Sequence, residues 1–388
     1  MKLLIIGINI RHIACSACRA GHEVHAVDYY CDLDLESCAR EIAFLPRIGI
    51  DRPDGVNDIV SAQIERVQPD AVVLGPGLEE ARVCGVPVLN NPPEKAHRIS
   101  DKLWQARWLE ENGFPSIRTS ILTEDLDFPV MIKPRRGAGG VGCRVARSPS
   151  DLDWQEGLIY QEIVSGRPAS VSVIGDGKRA RALAANEQLI GEGWTGARGF
   201  RYCGNITPLD SLPVGDMMSM AERIVARLGL VGSNGVDFLL TKKGPVVVEV
   251  NCRFQGSLDT VECATGVNVF QAHLNSFQGL LPQRPAIRCS AGRAILYASR
   301  PLEIREKLLF PWTADVPRPG SRIERDDPIL SILARGRNRE EVVSKLRERG
   351  DLVVKSECLG LTTKARRHKD EIEIVAPGLP TEAKSQGS

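Results

Sequence analysis

The residues best suited to chemistry crowd into one short stretch. Asp237 sits in the apolar run Val236–Leu240, and Glu249 and Asn251 sit in the run Val246–Asn251, with Thr241–Pro245 between them. Glu249 and Asn251 are two apart on a strand, so their side chains share a face. A turn centred on Lys243 places Asp237 directly opposite Glu249 on that face. Facing carboxylates repel across a strand pair unless a cation relieves them. Oxygen-only ligands suit Mg²⁺, which takes one or two carboxylates and leaves its other positions to phosphates and water. The alternative is a polar strand face in water, against which the interleaved valines and leucines argue.

A second cluster begins at Val130-Met131-Ile132-Lys133, a strand ending in a cation, followed by Gly137, Gly139, Gly140 and Gly142. Glycines let backbone N–H groups approach phosphate oxygens, and lysine adds a point charge. No Gly-Lys-Ser/Thr follows, so this is not a Walker loop. A surface flap is the alternative. Lys102 is a candidate second phosphate cation, or a solvated helix lysine. The run Tyr160–Gly166 can offer the backbone of Gln161, Glu162, Ile163 and Val164 to a planar base edge, or be an ordinary edge strand.

These residues need a scaffold. Lys2–Ile8, Arg11–Ala20 and Glu23–Asp28 read as a β-α-β unit, with Ala71–Leu74 and Val86–Leu89 as further buried strands. A helix is expected from about Pro93 to Asn112, and others at Met217–Leu228 and Arg339–Arg349. Leu158–Val164, Ala169–Ile174 and Ala180–Leu189 read as strands. The 388 residues suffice for two or three domains. Lysine and arginine total 50 against 49 acids, a net charge of +1, which excludes a general polyanion-binding surface. The cluster Lys364–Lys369 reads as solvated surface. No apolar run reaches the ~18 residues of a membrane span. Eleven cysteines, an odd number without a secretory signal, point to a reducing cytoplasmic setting without disulfides. Cys15 and Cys18 are expected to be buried as small apolar residues.

Taken in order, these motifs resemble the ATP-grasp superfamily, most specifically in Val236–Ser257, where an Asp on one strand precedes Glu-x-Asn-x-Arg on the next. The resemblance implies an α/β architecture. A Rossmann-like N-terminal domain would span 1–95 and a two-lobed α+β ATP-grasp core 96–290. The core divides into a small lobe of about 120–166 and a large lobe of about 167–290; a small β-rich C-terminal α+β unit at 291–362 and a polar tail at 363–388 follow. It assigns Lys102, Lys133 and Gly137–Gly142 to the phosphates of ATP, and Gln161–Val164 to adenine. Asp237, Glu249 and Asn251 would hold Mg²⁺ (or Mn²⁺), and Arg253 would steady the transferred phosphoryl group. The acid that binds ribose in many relatives is replaced by Pro168.

The implied reaction is phosphorylation of a small-molecule carboxylate to an acyl phosphate, then coupling to an amine with release of ADP and phosphate. The alternatives are a non-catalytic ATP-binding module and a bicarbonate-using carboxylase of the same superfamily. Arg198 and Arg201 could fork onto a substrate carboxylate or be solvated, and Ser257 could touch substrate. Asn9, Arg11 and His12 follow the first strand, at the usual ligand edge of a doubly wound sheet, or start the helix. Nucleic acid and membrane partners are not expected; a homodimer is common in the resembled family.

Overall fold

The computed structural model describes residues 1–46, 53–152, 156–211, 214–356 and 359–361. The polar tail expected at 363–388 lies outside the described residues. Lys2–Gly7, Glu23–Asp28, Glu41–Phe44 and Ala71–Leu74 form a parallel sheet in the order 41–44, 23–28, 2–7, 71–74. Leu3 and Ile5 pack toward the helix Arg11–Arg19, while Leu4 and Ile6 pack on the opposite face. Burial on both faces is why the strand reads as a continuous apolar run. Val86–Leu89 is not a full strand and contributes only a bridge from Val88 to Val72.

The expected helix from Pro93 to Asn112 is two helices, Pro93–Ile99 and Lys102–Glu111. Asp101 breaks it by capping the second: its carboxylate accepts from the Leu103 and Trp104 amides at 3.0 and 3.2 Å. The cap places Lys102 in the first turn. A four-stranded sheet, Thr119–Ser120, Leu158–Glu162, Val130–Pro134 and Arg144–Ala146, carries the glycine loop as its 135–143 connection.

The large sheet has eight strands. In spatial order they are Gly244–Asn251, Val231–Thr241, Arg167–Asp176, Ala180–Ile190, Tyr202–Thr207, Ser290–Tyr297, Pro328–Gly336 and Thr313–Ala314. Strands from the C-terminal region thus extend the sheet that carries Asp237 and Glu249. The helix Val214–Arg227 covers one face and the helices Leu258–Thr265 and Val269–Ser276 the other. Residues 191–209 look too polar for a core strand, yet Tyr202–Thr207 is central and buried. Its polar side chains are satisfied internally: Asn205 Nδ2 donates to Thr260 Oγ1 at 2.5 Å and Thr207 Oγ1 to Asn186 Oδ1 at 2.7 Å.

The cysteines also differ from expectation. Cys15 is disulfide-bonded to Cys38, 23 residues away, and Cys18 is free and exposed. The helix Arg11–Arg19 packs on the 3₁₀ turn Leu33–Ser37, which brings the pair together. Among the described residues, no helix is long and apolar enough to cross a membrane.

His273 joins the segment around Leu89, beside the parallel sheet, to the strand Val231–Thr241 of the large sheet. Its Nδ1 accepts the Ser233 amide at 2.9 Å, and its Nε2 faces the Leu89 carbonyl at 2.9 Å, where it donates. This geometry requires a neutral ring, and burial lowers its pKa to about 4 against a weaker opposing effect of the Leu89 carbonyl. The unfolded chain takes up this proton below its ordinary pKa of ~6.5 while the folded chain does not. Stability from this group is complete above that value and is lost progressively as pH falls toward 4, by roughly 3 kcal/mol in all. Buried carboxyls with a raised pKa, such as Asp28 at about 7, act in the opposite sense over this range, so the His273 contribution is read as the difference between the wild type and His273→Phe. Between pH 7 and pH 5 the urea-unfolding midpoint of the wild type should fall relative to that of His273→Phe, although the variant is the less stable at pH 7; His12, whose pKa burial, Arg293 and Arg11 lower to about 3 against Asp259 and Asp315, contributes to both alike.

Candidate active site

Asp237 and Glu249 are paired directly across the hairpin, but for a reason the sequence does not display. The turn is the two-residue Lys242-Lys243, and Thr241 pairs with Gly244. That register alone would set Asp237 opposite Val248 and turn Glu249 to the other face. A β-bulge intervenes: Phe238 pairs with Val247 and Asp237 with Glu249, leaving Val248 as the extra residue. The bulge aims Glu249 at the face that carries Asp237 and Asn251.

Around this pair the polar groups form a chain. Gln188 Nε2 donates to Asp237 Oδ1 at 3.0 Å, and Asn251 Nδ2 to Asp237 Oδ2 at 3.2 Å. Arg253 donates to Asn251 Oδ1 at 3.1 Å, and its Nε lies 3.0 Å from Glu79 of the N-terminal domain. Lys102 Nζ lies 3.6 Å from Glu249 and donates to the Gly137 carbonyl at 2.6 Å. Burial and the neighbouring Glu249 push the Asp237 carboxyl up to about 7, although Arg253, Asn251 and Gln188 oppose the rise. Burial holds the Lys133 ammonium below its usual lysine value; Lys102 adds to this, while Cys143, Glu249 and Asp237 counter it. Lys133, Lys102, Asp237 and Glu249 thus sense one another's charge. Among the described residues no group of three or more His, Cys, Asp or Glu side chains could hold a metal. Two carboxylates and a carboxamide are instead a donor set suited to an ion that takes its remaining ligands from phosphates. The Asp237–Glu249 repulsion, only partly relieved by these neighbours, fits a divalent cation at this face.

The glycine loop folds over toward residues 200–202. The Tyr202 amide donates to the Gly139 carbonyl at 3.1 Å. Gly140 has φ +75°, and a Cβ there would lie 1.9 Å from the Phe200 carbonyl oxygen. No side chain fits at that position. The loop's base is pinned by Arg135, which grips Asp101 through two bonds of 2.8 and 2.5 Å.

The side-chain contacts recorded for the other candidates fall outside this chain of polar groups. Gln161 is buried, donates to Thr119 Oγ1 at 2.8 Å and leaves its Oε1 without a partner. Glu162 and Ile163 are exposed and Val164 is half-buried beside it. Arg201 donates to the Asp326 carbonyl and stacks over the Tyr297 ring at 5.0 Å, and Arg198 is exposed. Ser257 is buried, with its hydroxyl 3.0 Å from that of Ser172. Arg11 is locked to Asp259 and Asp315, whereas His12 is buried with neither ring nitrogen partnered. Glu79, Gln188 and the Asp101–Arg135 pair escape sequence reading, because each is a single polar residue in an element whose pattern concerns packing.

Residues 99–257 match the ATP-grasp domain family. An uncharacterized protein of Methanocaldococcus jannaschii is 24% identical over 86% of this chain and 88% of its own. The 3-methyl-D-ornithine–L-lysine ligase of Methanosarcina mazei is 23% identical over 68% of this chain and 71% of its own. Some curated relatives are far longer: the chain spans 17% of a trifunctional purine biosynthetic protein of Drosophila melanogaster. Among solved structures, the biotin carboxylase domain of the Hydrogenobacter thermophilus 2-oxoglutarate carboxylase, in complex with MgADP, ADP and bicarbonate, aligns with a TM-score of 0.73 at 17% identity. That alignment covers 89% of this chain and 88% of the other.

The Asp237–Glu249 repulsion is a stored cost in the metal-free protein. Asp237→Asn removes it while keeping a hydrogen-bonding side chain. The variant should be more stable than the wild type in chelator by about 2 kcal/mol, read as a raised Tm in thermal unfolding. Equal or lower stability would show that the pair is not strained.

Proposed function

We propose that this chain, whose residues 99–257 match the ATP-grasp domain family, is an ATP- and Mg²⁺-dependent, ADP-forming ligase that joins a small-molecule carboxylate to an amine. The observation that carries this reading is the convergence of Asp237, Glu249 and Asn251 beside Lys102, with Arg253 bonded to Asn251. A binding module has no need of an arginine next to its metal ligands.

Phosphoryl transfer requires placement and charge neutralisation more than covalent help from the protein. Lys102, Lys133 and the amides of Gly137–Gly142 hold the triphosphate. Asp237, Glu249 and Asn251 would hold Mg²⁺, which neutralises phosphate charge when bound. Arg253 lies one side chain beyond and steadies the γ-phosphoryl group as a carboxylate oxygen of the acid attacks it and ADP leaves. The amine then attacks the acyl carbon, phosphate departs with the bond it shared, and the nitrogen loses a proton. The loop over residues 200–202 keeps water from the acyl phosphate. The ligase named among the relatives favours amino acids as substrates. The bicarbonate in the Hydrogenobacter complex keeps a carboxylating reaction as the second reading.

Calorimetric titration of MgATP into the wild type, Lys133→Ala and Glu249→Ala, with circular dichroism as the folding control, tests the site. Each variant should bind at least about tenfold more weakly, since each loses a charge-assisted contact. ADP release should then require both an acid and an amine from a panel of L-amino acids. AMP and pyrophosphate as products would overturn the ligase reading. Release dependent on bicarbonate would favour the carboxylase, and binding without turnover would favour the non-catalytic module.

A further inference from the structure

Two adjacent carboxylates on one turn of the N-terminal domain reach in different directions, and each ends on a different part of the candidate site. Glu79 pairs with Arg253 at 3.0 Å, while its other oxygen accepts the amide of Gly77 at 3.0 Å. That internal bond aims the carboxylate before any substrate arrives. Glu80 accepts from Ser100 Oγ at 2.6 Å, lies 2.5 Å from His97 Nδ1 and 3.4 Å from Arg136. Arg136 in turn donates to the His97 carbonyl at 2.7 Å and to Ser100 Oγ, closing a ring of four residues. Arg136 is the second residue after the strand Val130–Pro134, at the base of the glycine loop. The turn is itself fixed. Leu78 and Ala81 are buried, and the Ile8 amide at the end of the first strand donates to the Pro76 carbonyl at 3.1 Å.

We propose that the turn 77–81 is a positioning element that moves the glycine loop and Arg253 as one unit, with Glu80 the residue that latches the loop through Arg136. The inference rests on the reading that this loop covers the triphosphate. It goes further by making the N-terminal domain part of loop closure. The loop has two arginine anchors at its base. Arg135 ties it to the helix cap Asp101, and Arg136 ties it to His97 and Ser100 and, with them, to Glu80 of the turn. A displacement of the edge that carries Ile8 and the turn therefore shifts the loop and the Glu79 partner of Arg253 together. Events at the sheet edge of the N-terminal domain would reach the phosphate site by this route. Glu80 and Arg136 are partly exposed, so their attraction is modest in itself. Its effect is felt at the hinge of the loop, where it orients Ser100 and His97, the two residues that Arg136 also grips.

The test uses the full chain and MgATP alone. In Glu80→Gln, hydrogen exchange of the amides at 136–142 in the nucleotide-free protein should accelerate about fivefold, as the locally open state becomes more populated. MgATP should bind about three- to tenfold more weakly. Arg136→Gln should behave alike. In the double variant the losses should fall well short of the two single losses combined, because both remove one latch. Glu94→Gln, which breaks the exposed pair with Arg82 on the neighbouring helix, should leave both readouts at wild-type values. Unchanged loop exchange in Glu80→Gln, or fully additive losses in the double variant, would overturn the latch. A wild type that fails to bind MgATP would instead defeat the nucleotide reading, and loop exchange would still decide the latch.

Discussion

The structure depends on one buried ionic network where three parts of the chain meet. Arg11, from the first helix, places two nitrogens on Asp259 at 2.9 and 2.7 Å and its Nε 3.0 Å from Asp315. Arg293, on the large sheet, reaches the other oxygen of Asp315 at 2.5 Å and donates to the Gly256 carbonyl and Ser331. Burial resists the charging of all four, yet the arginines hold Asp259 down to about 2 and Asp315 lower still. Taking such charges out of water is expensive, and the network persists because each carboxylate oxygen has a donor. Removing one partner would strand the others, at a cost of about 3–5 kcal/mol. It is better understood as a device for orientation than as a source of stability. It sets the N-terminal domain against the core in one register.

That register decides what stands opposite Arg253. Gly256, held by Arg293, and Asp259, held by Arg11, lie within six residues of Arg253. Glu79 lies on the same domain as Arg11. A domain docked through hydrophobic contact alone could slide, because apolar burial is non-directional. Fixed hydrogen-bond geometry removes that freedom. His273 adds a second, uncharged tie between the Leu89 carbonyl and the Ser233 amide.

The candidate site shows the opposite economy. Asp237 and Glu249 face each other with partial relief, and Lys133 is half-buried among charges of both signs. Groups that a stable fold would separate are held together by a bulged hairpin whose flanks are deeply packed. Phe238, Val247 and Val250 are almost fully buried. Apolar burial of that kind supplies ~1.5–3 kcal/mol per large side chain, enough to keep strained polar groups in place. Packed strands thus carry the carboxylates, while the glycine loop carries the backbone amides.

Local pattern sufficed for much of this. The β-α-β start, the strand ending in Lys133, the glycine loop and the two strands of the hairpin are all readable, because strand periodicity and glycine conformational freedom are properties of short segments. The resemblance to the ATP-grasp domain, whose family matches residues 99–257, was readable too, since its most specific motif lies within Val236–Ser257. Other features required the assembled chain. Tyr202–Thr207 looks too polar for a core, and becomes a central strand only because Asn186 and Thr260 arrive from other elements to bond its side chains. Cys15 meets Cys38 through the packing of a helix on a distant turn. The pairing of Asp237 with Glu249 follows from alternation only if the turn centres on Lys243; the actual turn is one register shorter, and the bulge at Val248 restores the pairing. Spacing along a strand is written in the sequence. Which residues face one another across strands and domains is decided by bulges, buried ion pairs and docking, which act between segments far apart in the chain.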